Sequence, residues 1–434
     1  MKKFIDLIEA KLMPVANKIA SNDILNAIRH SMMGMAPFFM IGSFFMLAAY
    51  FPSKGYENFL NNTFGEGVFQ GIVTSVSGAS INMMGLFVLI AVAYNYAHIK
   101  KTDIIYSVVC TLMAFLIVTP ITDGVFPLEW LGAKGMFISI ILAIVVTDIY
   151  RKVKALGIAP KMPDSVPPAV MKSFSALMPI LAVSIFAVTL RVIFMLTPYG
   201  DIHNFVFEIV QKPLLILGNN VISLLVAEVT GQFLWFFGLQ GNDIVGSVMS
   251  PIWLAQNEAN LQAFTAGLDL PNIITTQMRN TFMLIGGSGN TLPLILSLLL
   301  FTKSKHLKAL GLLALPASIF NINEPIIFGL PIVLNALLFI PWLINTPIAG
   351  LITYFSMKLG LVNFANGVMI PWTTPALASG YLVSGLSGLL LQVVLIGVGF
   401  VIYYPFVKAL DSKLHKEENK AKEEDDIDLA SFEF

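Results

Sequence analysis

ASIFNINEPIIFGLPIVLNALLFIPWLINTPIAG, residues 317–350, is apolar enough to sit in a bilayer but too interrupted to cross one as a single helix. Glu324 lies inside it, with apolar residues running well to either side and no positive charge close by in the sequence. A carboxylate at mid-bilayer depth costs on the order of 2.5–3.5 kcal/mol on insertion scales, so it is kept for a function or for a partner such as Arg279 or a hydroxyl. Pro325 has no backbone donor and restricts the residue before it, which breaks the helix at Asn323–Glu324. Irregular backbone at membrane depth persists only when it is buried in protein or lines a wet cavity. A second stretch, LQGNDIVGSVMSPIWLAQNEANLQ at 239–262, is likewise apolar in short pieces split by Gly, Pro and Asn. Two interrupted segments in one half of a chain point to a transporter's binding site; apolar loops outside the bilayer are the competing reading.

The rest of the chain says which solvent it uses. Of 434 residues, 56% are hydrophobic and 12% charged, the charged share being about half of that usual in soluble proteins. Mean hydropathy is +0.79. So little charge cannot coat a water-facing surface, and lipid must solvate most of the chain. Lys+Arg and Asp+Glu balance at 26 each, so no basic footprint for nucleic acid is expected. Cys110, the single cysteine, excludes an internal disulfide and a cysteine zinc cage. The five histidines lack paired ligand spacing, so no metal is expected. GGSGNTLP at 286–293 is glycine-rich but lacks the lysine of a nucleotide-binding loop. It reads as a flexible pocket wall or a packing element, and no cofactor is expected. The amphipathic start, MKKFIDLIEAKLMPVANK, has no apolar core with a cleavage site and is not a secretory signal.

A membrane helix needs roughly 20 mostly apolar residues. Such stretches occupy 31–51, 73–94, 104–121, 135–150, 174–196, 214–237, 282–301 and 383–406. Lysines and arginines gather before the first, after the second and fourth, at Lys303–Lys308, and after the last, whereas the alternate loops are acidic or mixed. The positive-inside rule then puts both termini in the cytoplasm. Five crossings leave 198–201 outside, and a cytoplasmic Lys303 demands an odd number of crossings between them. Only two stretches there are long enough, so the broken segments must make up the parity.

Trp235 and Trp372 border the two irregular regions. Sugars offer an apolar face of C–H groups and a rim of hydroxyls, which suit an aromatic plate beside amides and carboxylates. Trp235, Gln240, Asn242, Asn290, Glu324, Trp372 and Thr373 supply those types. Both tryptophans could equally belong to interfacial belts, which is the preferred reading for Trp130 and Trp342. Glu228 reads as a helix–helix hydrogen bond more readily than as a ligand contact. Arg191, near the end of its span, reads as snorkelling.

Three stretches in order, MPDSVPPAVMKSFSALMP (162–179), WFFGLQGNDIVGSVMSPIW (235–253) and NEPIIFGLPIVLN (323–335), resemble enzyme IIC. This is the membrane component of the lactose/cellobiose/diacetylchitobiose branch of the bacterial phosphotransferase system. The resemblance runs from the amphipathic start to the tail. It implies an all-α integral membrane protein, a polytopic helical bundle of about ten transmembrane helices with two re-entrant hairpins in the C-terminal half. Residues 1–200 would form an amphipathic helix and a five-span scaffold that dimerises. Residues 201–407 would form the sugar-binding transport domain, moving in an elevator-like manner, and 408–434 a charged cytoplasmic tail. The expected location is a bacterial plasma membrane. A β-linked disaccharide would be carried and phosphorylated at its 6-hydroxyl by a phosphocysteine of a separate IIB protein, itself supplied by IIA.

Carried over by position, the resemblance makes Glu324 of the NEP motif bind or activate the sugar hydroxyl, with Asn323 beside it in the site. It sets Trp235 and Trp372 against the sugar rings. One position departs: the family's Gly-Ile-His-Gly turn reads GLQG here, so Gln240 replaces a histidine. Glutamine donates and accepts hydrogen bonds but shuttles no proton near neutral pH. Any proton transfer then falls to Glu324 alone, or the substrate choice or phosphorylation coupling differs. Two other classes stay open: an ion-coupled secondary sugar transporter using Glu324 or Glu228, and a sugar sensor that binds without flux.

Overall fold

The computed structural model describes residues 18, 21–50, 54–121, 125–158, 168–330, 332, 335 and 337–431. Residues 162–167 of the first of the three family stretches lie outside them, as do residues 331, 333 and 334 of the third and residues 1–17 of the amphipathic segment. The chain folds into two compact units, Asn17–Gly218 with Gly246–Gly267, and Asn219–Val245 with Leu268–Phe434.

The first unit is a bundle of α1 (Asp23–Ala49), α2 (Lys54–Phe64), α3 (Val68–Gly78), α4 (Met84–Ile99), α5 (Ile104–Val118), α6 (Met136–Ala155), α7 (Pro168–Ser175), α8 (Leu177–Met195), α9 (Ile202–Val206) and α10 (Lys212–Gly218). Asn22 starts α1 by accepting the Ile24 and Leu25 N–H groups, two of the donors a helix start leaves orphaned. α3 and α4, with a tight turn at Ile81–Met83 between them, make one apolar rod of 32 residues. α4 packs on α1, α5 and α6, and α8 on α5 and α6. Their shared core holds Leu89, Phe115, Trp130, Leu142, Val146 and Tyr150. On α8 the residues Leu181, Ile185, Val188 and Val192 are all about half exposed. Their four-three-four spacing is one helical stripe, which lipid rather than water solvates.

Two side chains of this unit differ from the expectation. Trp130 is only 3% exposed and stacks on His203 at 5.0 Å, so it is core and not an interfacial belt. His203 shares a 2.8 Å hydrogen bond with Thr119 Oγ1. Arg191 does not snorkel to water; it donates to the Ile117 carbonyl at 2.8 Å. Helix ends nearby leave such carbonyls unpaired, and they attract a guanidinium.

The second unit contains α11 (Val221–Phe236), the first turn of α12 (Gly241–Thr265), α13 (Thr276–Phe282), α14 (Thr291–Phe301), α15 (Lys305–Ile319), α16 (Glu324–Gly329), α17 (Phe339–Lys358) and α18 (Ala378–Ser431). α11 packs on α17, α14 on α15 and α18, and α16 on α15. Phe236, Leu294, Leu298, Leu310, Ile326 and Trp342 form its core. Trp342, 1% exposed, donates its indole N–H to the Gln232 carbonyl at 3.0 Å, so it too is core rather than belt.

The interruptions fall partly where the sequence put them. α15 stops at Ile319 and α16 starts at Glu324, with Asn321 left-handed between them. The stretch at 239–262 is different: α12 runs unbroken from Gly241 to Thr265 with Pro251 inside it. One proline removes one ladder bond and kinks a helix without ending it when apolar turns on either side continue to pack. The expected span at 282–301 is itself broken, because α13 ends at Phe282 and α14 begins only at Thr291. Likewise 214–237 is two helices, the second opened by Asn220 accepting the Ile222 N–H. α18 carries the last span into the charged tail, with non-helical backbone at Ser384 and Gly385.

Candidate functional site

The glycine-rich turn between α13 and α14 organises the second unit. Gly286, Gly287 and Gly289 all have positive φ, a region open to glycine at no steric cost. At Gly287 a Cβ would stand 2.6 Å from Asn323 Cγ and 2.7 Å from the Asn321 carbonyl oxygen. The turn therefore lies flush against the strand of backbone that leads into Glu324, and no side chain fits between them.

Hydrogen bonds fasten that contact. Asn323 Nδ2 donates to the Ser288 carbonyl at 2.7 Å, and the Gly286 N–H donates to Asn321 Oδ1 at 2.8 Å. Asn321 Nδ2 in turn donates to the carbonyls of Trp372 (2.7 Å) and Thr374 (3.0 Å). One asparagine thus ties the turn, the approach to α16 and the PWTTP segment together. On its other side, Ser288 Oγ accepts from Asn242 Nδ2 at 2.9 Å and donates to Gln232 Oε1 at 3.3 Å. Asn242 Oδ1 accepts from Arg279 Nη2 at 3.2 Å. Arg279 Nε is bonded to Glu228, whose side chain is fully buried while that of Arg279 is 11% exposed. Buried polar groups in a chain like this need partners, and the relay from Glu228 through Arg279, Asn242 and Ser288 to Gln232 supplies them, except at Gln232 Nε2, which is buried with no acceptor among the described residues.

The candidate residues sort accordingly. Asn242 and Asn323 are joined at Ser288, and the backbone of Trp372 is joined to the same turn through Asn321. Trp372 is 53% exposed and Thr373 is half-buried, so the aromatic plate is open to a ligand. Glu324 is exposed; among the described residues its side chain has no hydrogen-bond or ion-pair partner. Arg279, its expected rival partner, is taken by Glu228. Gln240 is exposed at the start of α12, its carbonyl accepting the Asp243 and Ile244 N–H groups. Trp235 is half-buried against the apolar core, and its indole N–H is buried without an acceptor. Asn290 is fully buried and donates to Asn345 Oδ1 at 3.0 Å, so it braces α14 against α17 within the interior. Glu228 makes the interhelical bond expected of it, and to a cation.

Gln232, Ser288 and Asn321 escaped the sequence reading, which weighed Arg279 only as a partner for Glu324. A visible signal existed for its pairing with Glu228: the two are opposite charges, each set in an otherwise uncharged stretch. The hydrogen bonds of a serine and two amides carry no such mark.

A many-helix membrane protein whose interrupted helices gather amides and a serine round one glycine-rich turn has the construction of a carrier for a polar solute. Residues 29–346 match the family model described as Phosphotransferase system, EIIC. The chain is 41% identical to the lichenan permease IIC component of Bacillus subtilis (strain 168), over 96% of each. It is also 41% identical to the cellobiose-specific EIIC component of Geobacillus stearothermophilus, again over 96% of each. Its fold matches the crystal structure of the transporter ChbC, the IIC component from the N,N'-diacetylchitobiose-specific phosphotransferase system. That match has a TM-score of 0.92 at 40% identity and covers 95% of this chain and 99% of that one. The chain belongs to the EIIC family of the phosphotransferase system. It is a bacterial membrane sugar permease that works with IIA and IIB partners.

Proposed function

We propose that this permease carries a β-linked disaccharide of the cellobiose or diacetylchitobiose type, held at the glycine-rich turn and presented to the phosphorylated IIB protein. The observation that carries the reading is Glu324: a carboxylate without a partner among the described residues, at the start of a helix set off by a break in the chain's helical run. The names of relatives about 40% identical over nearly the whole chain support the sugar class.

In this reading Glu324 and Gln240 meet the reacting 6-hydroxyl. An exposed carboxylate accepts the hydroxyl hydrogen bond and orients the oxygen for in-line attack on the phosphorus of the IIB phosphocysteine; the O–P bond forms as the P–S bond breaks, the sulfur leaves as the IIB thiolate, and the hydroxyl proton goes to Glu324 or to water. Gln240 orients the same hydroxyl without taking a proton. Trp372 and Trp235 lie against the sugar's C–H faces, the Trp235 indole N–H finding its acceptor in a sugar oxygen. Asn242, Asn323 and Thr373 bond the hydroxyl rim. Asn290 contributes through the frame that holds the turn. The architecture is taken as about ten spans with two re-entrant hairpins, both termini cytoplasmic. Residues 1–200 serve as scaffold and dimerisation surface in a homodimer, residues 201–407 as the moving carrier, and 408–434 as a cytoplasmic tail.

Glu324→Gln tests the assignment in vesicles charged with purified IIB and a phosphoryl donor. Phosphorylating uptake should vanish while sugar binding and elution behaviour are kept. Full uptake by that variant, or uptake driven by a proton or sodium gradient without IIB, refutes it.

A further inference from the structure

The N-terminal unit holds a cavity of about 790 Å³ that the transport reading does not use, lined in part by Thr74, Asn82, Phe207, Gln211, Glu258 and Gln262. Ligand pockets run from about 300 to 1,000 Å³. Glu258 is 4% exposed. Its Oε2 accepts the Ala133 N–H at 2.9 Å and its Oε1 accepts from Gln262 Nε2 at 2.9 Å. Among the described residues no cation pairs with it. Gln211, 2% exposed, donates Nε2 to the Ala133 carbonyl at 3.0 Å, and its Oε1 is buried with no partner. The other charges on the wall cancel, because Lys134 Nζ binds Glu129 at 2.7 Å and lies 4.2 Å over the Trp130 ring.

We propose that this cavity is a second carbohydrate site, taking the unphosphorylated sugar. Three features select that ligand. The Gln211 oxygen is an acceptor left open, and leaving such an atom unmet costs about 1–3 kcal/mol; a sugar hydroxyl meets it. The Glu258 carboxyl has hydrogen-bonding capacity beyond the two donors it meets, and a hydroxyl, which donates and accepts and brings no charge, can use it. Phe207, with Met46 and Leu128 on the same wall, gives the C–H face of a sugar an apolar surface. Among the described residues no cation on the wall is free to meet a phosphate, since Lys134 is held by Glu129, so a phosphorylated sugar would be buried there without a counter-charge. The wall includes residues flanking the loops near 128 and 207, which the charge pattern puts outside. There the site would hold incoming sugar and reject the product of phosphoryl transfer.

The inference rests on the reading that the chain carries a β-disaccharide, and the test separates the two. Full-length protein in lipid nanodiscs is titrated with radiolabelled cellobiose in equilibrium dialysis. Wild type should bind two sugars per chain, and Trp372→Ala should leave one. Adding Gln211→Leu, or Ala259→Trp to fill the cavity from α12, should remove that one, with unchanged elution profiles as the folding control. Cellobiose 6-phosphate should not compete at the site left in Trp372→Ala. One sugar per chain, lost entirely with Trp372→Ala, overturns the second site and leaves the transport reading intact. No cellobiose bound at all overturns both. Residual binding that is indifferent to Gln211→Leu and Ala259→Trp, or equal competition by the phosphate, also refutes the proposal.

Discussion

Removing one member of the Glu228–Arg279 pair is the most demanding test of the site's construction. The Glu228 side chain is fully buried and that of Arg279 is 11% exposed, so neither charge can fall back on water. Glu228→Met leaves a guanidinium without its carboxylate, and breaking a buried pair from one side costs about 3–5 kcal/mol. Whole proteins are stable by about 5–15 kcal/mol, so this is a large fraction of the total. Arg279→Met should cost a similar amount. The double variant should cost clearly less than the sum, since two apolar side chains of like volume replace a pair whose desolvation offsets most of its attraction. Function should separate from stability. Asn242 Oδ1 loses its charged donor in both Arg279 variants, and a hydrogen bond to a charged group contributes about 1.5–3 kcal/mol. If half of that reaches the ligand, sugar affinity falls about three- to tenfold, at 1.4 kcal/mol per decade. Unfolding followed by tryptophan fluorescence in detergent gives the first set of numbers, and equilibrium dialysis with cellobiose gives the second. Single variants costing under about 1 kcal/mol would show that the pair is not buried as described. A double variant that binds sugar as wild type does would show that Asn242 is held by something other than Arg279.

Three further outcomes follow from particular contacts. Gly287→Ala should abolish sugar binding with a smaller effect on unfolding, because its Cβ would meet Asn323 Cγ at 2.6 Å and push the backbone before Glu324 away; normal affinity in that variant refutes the role of the turn. Glu418 accepts from Ser304 Oγ and from the His306 and Lys305 N–H groups, and these bonds pull its carboxyl down to about 2. A carboxyl lowered on folding stabilises the tail contact fully above its unfolded value of about 4.3 and loses that contribution as pH falls toward the folded value. Hydrogen exchange at 303–307 should therefore be flat from pH 8 to 5, after correction for intrinsic rates, faster below pH 4, and fast at all pH in Glu418→Gln. Gln240→His should keep sugar binding and raise phosphorylation by IIB at pH above the imidazole value; an unchanged rate would show that proton transfer at that position is dispensable.

The site was legible where chemistry and solvent conflict. Glu324 in an apolar run, followed by proline, marked a break in the helix, and the break is there. Arg279 and Glu228 conflicted with their surroundings in the same way, but each alone gave no hint of the other, 51 residues distant. The stretch at 239–262 misled because Gly, Pro and Asn carry the same letters whether a helix bends or ends. Whether Pro251 kinks or terminates depends on the turns that pack on either side of it.

Composition by itself determined that lipid is the solvent, since 12% charged residues cannot cover a water-facing surface, and the continuous apolar stretches of about 20 residues determined that helices, which pair their own peptide groups, are the spanning backbone. The motifs in order determined the family. Tertiary structure alone decided that the glycine-rich turn at 286–290 is the hub, that Trp130 and Trp342 are core, and that Asn321 joins three segments far apart in the chain. Hydrophobic patterning is a property of neighbouring residues and can be read along a line. A hydrogen bond between Asn242 and Ser288 belongs to two positions that only folding brings within 2.9 Å, and a single sequence carries no mark of it.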